Sequence, residues 1–289
     1  METGRASRTA LATAYARAYH QLSGEPRVFT DPLAARILGV PPERIGDLDT
    51  ATLDQPGGND PLRKGRRYFL AARARLAEDV VADAAASGTR QVVILGAGLD
   101  TFGYRNPHAG LRVFEVDHPD TQQWKHEMLA DSGIEIPESL TFVPVDFETG
   151  TLAAGLAATG FRRDEPAVFV WLGVVMYLTA EAIAETLRFI AEQGQPVRVV
   201  ADYLSSGTDP AEREALRQRI ERISKLNEPI LSCLDPDEFT ELLRSFGFDA
   251  VEHWTFAELM ARYLGDAADV GSAAGTARLL CASRGLKID

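Results

Sequence analysis

At 289 residues the chain is long enough for one large α/β domain or for a domain with a cap. A charged fraction of 25% beside a hydrophobic fraction of 45% excludes global disorder. The net charge of -12 argues against a nucleic-acid partner, which would call for a basic patch, so an anionic substrate would have to be held by a few placed arginines.

From the N-terminus, residues 5–22 read as an alanine-rich helix. Arg5, Arg8 and Arg17 are followed by no sustained apolar core, so no signal peptide is expected. Asp31-Pro32 looks like a helix start, with Asp31 as cap and Pro32 at the first helical position; that helix should end near Gly39. Residues 43–60, with Pro56-Gly57-Gly58-Asn59, read as loop, and 62–86 as a long helix stopping at Gly88. Strands then alternate with helices. The strands fall near 91–95, 111–116, 140–145, 167–172 and 197–202, and the helices near 120–131, 150–159 and 180–193, the last capped by Thr179. Alternation at this spacing argues for βαβ units and a parallel sheet. Residues 209–226 form a charged amphipathic helix and 235–246 another, ending at Gly247. The stretches 251–254 and 278–283 could supply two last strands, and 264–277, small and polar, reads as loop. The longest apolar run, 167–178, suits a buried strand and its exit better than a membrane span. Cys233 and Cys281 lie far apart, with neither metal spacing nor a disulfide framework, which fits a reducing cytoplasm. The histidines at 20, 108, 118, 126 and 253 show no metal spacing either.

The run Gln91-Val-Val-Ile-Leu-Gly-Ala-Gly-Leu-Asp100 reads as a buried strand ending in a glycine turn. Glycine takes positive φ and lets a ligand approach the backbone. The dinucleotide fingerprint G-x-G-x-x-G is incomplete, since Thr101 stands at the third position, and a plain structural turn explains the loop taken alone. The second apolar run ends in Phe114-Glu-Val-Asp117 and the third on Asp146. Gly96, Asp117 and Asp146 would therefore share the carboxyl edge of a sheet, where ligands of open α/β folds sit. Glycine loop, ribose acid and a further acid suit a nucleoside. Asp117 offers two acceptor oxygens to a ribose, and Glu115, on the same side of its strand, competes for that role. A capping role before Pro119 is the bland reading of Asp117, and a cap on the helix near 150 that of Asp146.

Several phrases in one order are more specific than any one of them. Phe29-Thr-Asp-Pro-Leu-Ala34, the glycine run through Thr101-Phe-Gly-Tyr-Arg105, Phe114-Glu-Val-Asp-His-Pro119, Trp124-Lys125, Phe142-Val-Pro-Val-Asp-Phe147 and Val174-Val-Met-Tyr-Leu178 resemble the leucine carboxyl methyltransferase family of S-adenosylmethionine (SAM) dependent enzymes. That family includes bacterial O-methyltransferases of polyketide pathways. The resemblance runs from about Phe29 to Tyr203. It implies a Rossmann-like class I methyltransferase fold, with a seven-stranded, mainly parallel sheet, an antiparallel last strand and a helical N-terminal cap. Residues 1–88 would be the cap and lead-in helix, and 89–289 the SAM-binding core with a substrate-side insertion at about 204–235. Gly96 and Gly98 would admit the methionine portion of SAM, and Asp117 would hold the ribose. Asp146 would accept from the adenine amino group, with the Phe147 N–H facing a ring nitrogen. Arg73, favoured over Arg75, would hold the SAM carboxylate, with Arg17 a weaker candidate. Leu172 departs from the family, which usually carries Glu there against the cofactor. Tyr177, Asp202 and Tyr203 should face the substrate side, where Tyr177 and Tyr203 would orient an acceptor oxygen. A buried tyrosine with a satisfied hydroxyl is the alternative for both. His118, beside Pro119, reads as structural.

The expected function is O-methylation of a small molecule, a secondary metabolite, with a carboxylate acceptor favoured and a hydroxyl as the alternative. A carboxylate is already ionised at neutral pH, and no well-marked general base is visible to deprotonate a phenol. Neither nucleic acid, membrane nor metal is expected, and a homodimer is allowed. Two other readings remain. One is a SAM-binding protein that transfers no methyl, acting as a cyclase or sensor, which Leu172 motivates. The other is a nicotinamide oxidoreductase, against which Asp146 and the long helical preface count.

Overall fold

The structure, a computed structural model, describes residues 8–23, 25–45, 61–146, 149–207, 209–224, 229–265 and 276–286. Seven strands form one sheet: β1 (Gln91–Leu95), β2 (Arg112–Asp117), β3 (Leu140–Pro144), β4 (Pro166–Trp171), β5 (Gly194–Leu204), β6 (Ala250–Trp254) and β7 (Ala277–Arg284). Their order is β3-β2-β1-β4-β5-β7-β6. β1 to β5 pair in parallel, and β7 runs antiparallel to both β5 and β6. The order reverses direction between β1 and β4, so the carboxyl ends of these two strands splay into a crevice.

β1 is buried throughout, which explains its unbroken apolar sequence: a parallel strand covered on both faces has no reason to alternate. Its odd residues, Val93 and Leu95, enter the core under one set of helices, and its even residues, Val92 and Ile94, enter the core on the other face. The first face is covered by α6 (Leu152–Ala157), α7 (Ala180–Ala191) and α9 (Pro236–Ser245) through Leu156, Leu187 and Phe239. The second is covered by α3 (Pro61–Ala86), α8 (Pro210–Ser224) and α10 (Phe256–Leu264) through Leu76, Leu216 and Leu259. The lead-in helix α3 is thus one of the sheet's own layers. A third cluster joins α1 (Arg8–Ser23), the single turn α2 (Ala34–Ile37) and α5 (Pro119–Ser132) through Ala14, Ile37 and Leu129. No helix among the described residues is long and apolar enough to cross a membrane.

Several expectations shift. Asp31 caps no helix: α2 begins only at Ala34 and has no side-chain cap. The Asp31 carboxylate accepts from the Leu33 N–H at 3.2 Å but is turned inward, 1% exposed, where Thr101 Oγ1 donates to it at 2.7 Å. Gly39, at φ +62°, ends that turn as expected. Two helices went unread: α4 (Phe102–Arg105), a single turn below the glycine loop, and α10, although Thr255 and Glu258 form a reciprocal capping box that the sequence spells out. β5 is longer than read, beginning at Gly194. The loops expected at 46–60 and within 266–275, and residues 5–7 of the first helix, lie outside the described residues.

Candidate active site at the carboxyl edge of the sheet

β1 leaves the sheet through Gly96, Ala97 and Gly98. The N–H groups of Gly96 and Ala97 donate to the Val116 carbonyl at 2.8 and 3.2 Å, which ties the turn to β2. Gly96 sits at φ +64° and Gly98 at φ +47°. A Cβ on Gly96 would run into Val174 Cγ2, and one on Gly98 would lie 3.1 Å from Ala10 Cβ of α1. Glycine is required here both for backbone conformation and for space.

Asp117 ends β2 half-buried. Its Oδ2 accepts from the Gly98 N–H at 2.6 Å and its Oδ1 from the His118 N–H at 2.7 Å. Each oxygen keeps a second lone pair for a ligand hydroxyl. Burial raises the Asp117 carboxyl above its ordinary value, while these two N–H groups and the Lys125 charge pull it back. The bland reading of Asp117 as a helix cap is replaced: His118 caps α5, its Nδ1 accepting from the Asp120 N–H at 3.2 Å. Glu115 is withdrawn from the competition for the ribose. It is fully buried one pleat below, with Oε2 on Lys125 Nζ at 2.6 Å.

Asp146 follows β3 half-buried, with Thr149 Oγ1 donating to its Oδ2 at 3.0 Å. The cap of α6 is Thr151, not Asp146. Phe147 lies outside the described residues. Beyond β4, Leu172 packs into the α3 side of the sheet and helps line a small cleft with Ala77, Glu78, Asp100 and Phe102. An apolar wall stands where the resemblance led one to expect a carboxylate.

Arg73 projects from α3 into the same edge, 7% exposed, far from the solvated charge that is usual for arginine. Nη1 is paired with Asp202 Oδ2, and the other oxygen of Asp202 accepts the Gly173 N–H. Gly173, at φ +77°, admits the guanidinium closely: a Cβ there would lie 3.4 Å from Nη2. Arg75 has the solvated role, half-exposed and paired with Asp79 at 2.7 Å. Arg17 is buried too, but its Nη2 donates to the Leu99 carbonyl and its Nη1 lies 3.4 Å from Asp100, so it braces the glycine loop from α1.

Tyr177 comes to the expected edge, on the 3-10 turn Val175–Tyr177, with its hydroxyl 3.5 Å from Thr9 Oγ1 of α1. Tyr203 does not. Consecutive strand residues face opposite ways, and since Asp202 faces α3, Tyr203 faces α9. It is 1% exposed, edge-on to Phe239, and its hydroxyl lies 2.7 Å from His253 Nδ1, with Thr240 Oγ1 2.8 Å from the other ring nitrogen. Burial drives its phenol well above the usual tyrosine value. It is the buried, satisfied tyrosine of the alternative reading and reaches no acceptor.

The N-terminal segment contributes groups whose place in the site sequence reasoning missed, Asp31 having been read as a helix cap. Asp31, in the Phe29-Thr-Asp-Pro phrase, joins Thr101, Arg105 (3.3 Å) and Arg17 (3.6 Å) beneath the glycine loop. His20 holds the same phrase: its Nε2 accepts from the N–H groups of Val28 and Phe29 at 3.1 and 3.3 Å. Burial pushes that imidazole down to about 4, so it stays a neutral acceptor. Asp31, Thr101 and Arg105 lie in the resembling phrases, which was the available signal, whereas Arg17 and His20 lie outside them. No group of His, Cys, Asp and Glu among the described residues could hold a metal ion.

The geometry fits a nucleoside with a carboxylate tail: a glycine cradle, a clamped acid beside it and a buried guanidinium across the crevice. Comparison with known proteins agrees. The family model for leucine carboxyl methyltransferase matches residues 10–191. A Bacillus subtilis (strain 168) protein, YktD, assigned by name to the SAM-dependent methyltransferases, is 33% identical over 88% of this chain and 90% of its own. A Mycobacterium avium (strain 104) protein assigned likewise is 33% identical over 88% of this chain and 87% of its own. Among solved structures, one from Thermobifida fusca YX titled as a methyltransferase superposes with a TM-score of 0.57 at 15% identity, covering 94% of each chain, which shows the shared fold. This chain belongs to the leucine carboxyl methyltransferase family and is a SAM-dependent methyltransferase.

Proposed function

We propose that the enzyme methylates an oxygen of a small-molecule acceptor, a carboxylate in preference to a hydroxyl, and that the acceptor is an acid of secondary metabolism. One observation carries the preference. Asp202, the acid at the acceptor end of the crevice, is committed to Arg73 and to the Gly173 N–H, and the Tyr177 hydroxyl lies against Thr9. Neither is placed as a ready proton acceptor, so an acceptor that arrives ionised suits the site best.

In this reading Gly96 and Gly98 admit the cofactor to the backbone, Asp117 takes the ribose hydroxyls, Asp146 takes the adenine amino group and Arg73 takes the carboxylate. When bound, SAM supplies a methyl group activated on a sulfonium. The chain's own residues then bind and orient. Arg73 can make a bidentate contact that fixes the amino-acid end of the cofactor. Tyr177 lies where α1 meets the β4 exit and can orient the acceptor oxygen. Helix α1, packed on the loop at Ala10, excludes water from the crevice. Holding both partners in line can contribute roughly 7–11 kcal/mol, enough without a dedicated base.

The test is a panel of carboxylate and hydroxyl acceptors incubated with enzyme and SAM, following S-adenosylhomocysteine. Turnover confined to hydroxyl acceptors would overturn the preference.

A further inference from the structure

We propose that Lys125 is a positioning residue for the cofactor: its ammonium, locked on Glu115 directly beneath Asp117, keeps Asp117 an anion while Asp117 accepts the sugar hydroxyls. The inference rests on the reading that Asp117 holds the ribose.

The geometry begins with two periodicities. Glu115 and Asp117 are two residues apart on β2, hence on one face, about 6.6 Å along the strand. On α5, Gln122, Lys125 and Leu129 share the buried stripe. Gln122 Nε2 donates to the Glu115 carbonyl at 2.8 Å, which pins α5 to β2. Lys125 Nζ then reaches Glu115 Oε2 at 2.6 Å, with both side chains 1% exposed. The ammonium also lies 5.2 Å from the Tyr104 ring centroid, and the Tyr104 hydroxyl lies 3.3 Å from Glu115 Oε2.

A purely structural pair explains this poorly. Two buried charges gain little over apolar residues of the same volume unless every oxygen and proton is satisfied. Glu115 Oε1 is buried with no hydrogen-bond partner. The cluster therefore carries more polarity than the fold requires, and it lies under the acid that the nucleoside reading places on the sugar. Burial lifts the Glu115 carboxyl to about 7 against the pull of Lys125, while Asp117, also raised by burial, is drawn back by the Gly98 and His118 N–H groups and by Lys125. Protonation of Glu115 would leave the Lys125 charge acting undivided on Asp117. The other charged and titratable groups facing the pair are His118, the N-cap of α5, Tyr104 on α4 and Asp100 in the loop.

The probe is 5′-methylthioadenosine, which keeps the adenine and the ribose but lacks the aliphatic amino group and the carboxylate of the methionine portion, so nothing on it titrates near neutrality. Its dissociation constant is measured against pH for the wild type and for Glu115→Gln/Lys125→Met, which removes both charges and keeps His118. Between about pH 8 and about pH 6 the wild type is expected to lose less than about twofold in affinity and the double variant at least about fivefold. Parallel profiles would overturn the inference and leave Lys125 a structural residue. A second measurement needs no variant: carboxyl NMR of the wild type should show Glu115 protonating at higher pH than Asp117, and the reverse order would equally overturn it. If neither the probe nor SAM binds the wild type at any pH, it is the nucleoside reading of the edge that fails.

Discussion

Replacing Asp202 by alanine tests the architecture of the crevice and the ligand assignment together. Asp202 and Arg73 are 3% and 8% exposed, and Asp202 is also the acceptor for the Gly173 N–H. Asp202→Ala leaves a guanidinium buried without its counter-ion, which costs about 3–5 kcal/mol when one member of a buried pair is removed. The stranded N–H raises the total toward the upper end, since a lost buried acceptor costs about 1–3 kcal/mol and the two effects overlap. Unfolding 289 residues at ~2.1 cal/mol/K each gives an entropy of roughly 0.6 kcal/mol/K, so a loss of ~4 kcal/mol lowers Tm by about 7 °C. Thermal unfolding by circular dichroism reads this directly. Saturating SAM should then raise Tm more in the variant than in the wild type, because the ligand carboxylate gives Arg73 a partner. Decarboxylated SAM should give no such excess. A Tm loss under about 2 °C would refute the buried-pair argument, since it would mean water reaches Arg73 freely. An excess equal for both ligands would refute the placement of the carboxylate.

Three further outcomes are expected. Asp117→Ala should weaken SAM binding at least tenfold, about 1.4 kcal/mol, as measured by calorimetry; an unchanged affinity in a folded variant would remove Asp117 from the site. Arg73→Ala should lose more affinity for SAM than for decarboxylated SAM, a ratio that cancels the variant's general instability; equal losses would move the carboxylate elsewhere. Glu115 is held at about 7 in the fold against an ordinary 4.5, so the folded chain binds this proton more tightly than the unfolded chain. Its contribution favours folding fully below about 4.5 and is lost as pH rises through about 7. The wild-type Tm should therefore fall between about pH 6 and about pH 8, and less steeply in Glu115→Gln; identical slopes would assign the titration to another group.

What the amino-acid sequence by itself determined was local in origin. The unbroken apolar run of β1, the two glycines after it, and acids closing β2 and β3 are properties of single segments. Strand burial, positive φ and strand-end position can be read from a few neighbours. That local reading put Gly96, Gly98, Asp117, Asp146 and Tyr177 at or beyond strand ends and predicted the parallel sheet, whereas the reversed last strand was implied only by the family resemblance. Tertiary structure decided the fate of every charge and every strand face. Tyr203 and Asp202 alternate in any strand, but only the packing of α3 on one side and α9 on the other gave Asp202 to the crevice and Tyr203 to the core. Arg73 and Asp202 are 129 residues apart in the chain, Arg17 and Leu99 82, and no local pattern tells that such arginines are buried rather than solvated. Asp31 illustrates the same limit, since its sequence context spells a helix cap while its carboxylate serves Thr101, Arg105 and Arg17 under the glycine loop. The physical reason is desolvation: a charge removed from water is set by whichever partner the fold brings within hydrogen-bond reach, and that partner comes from a distant segment.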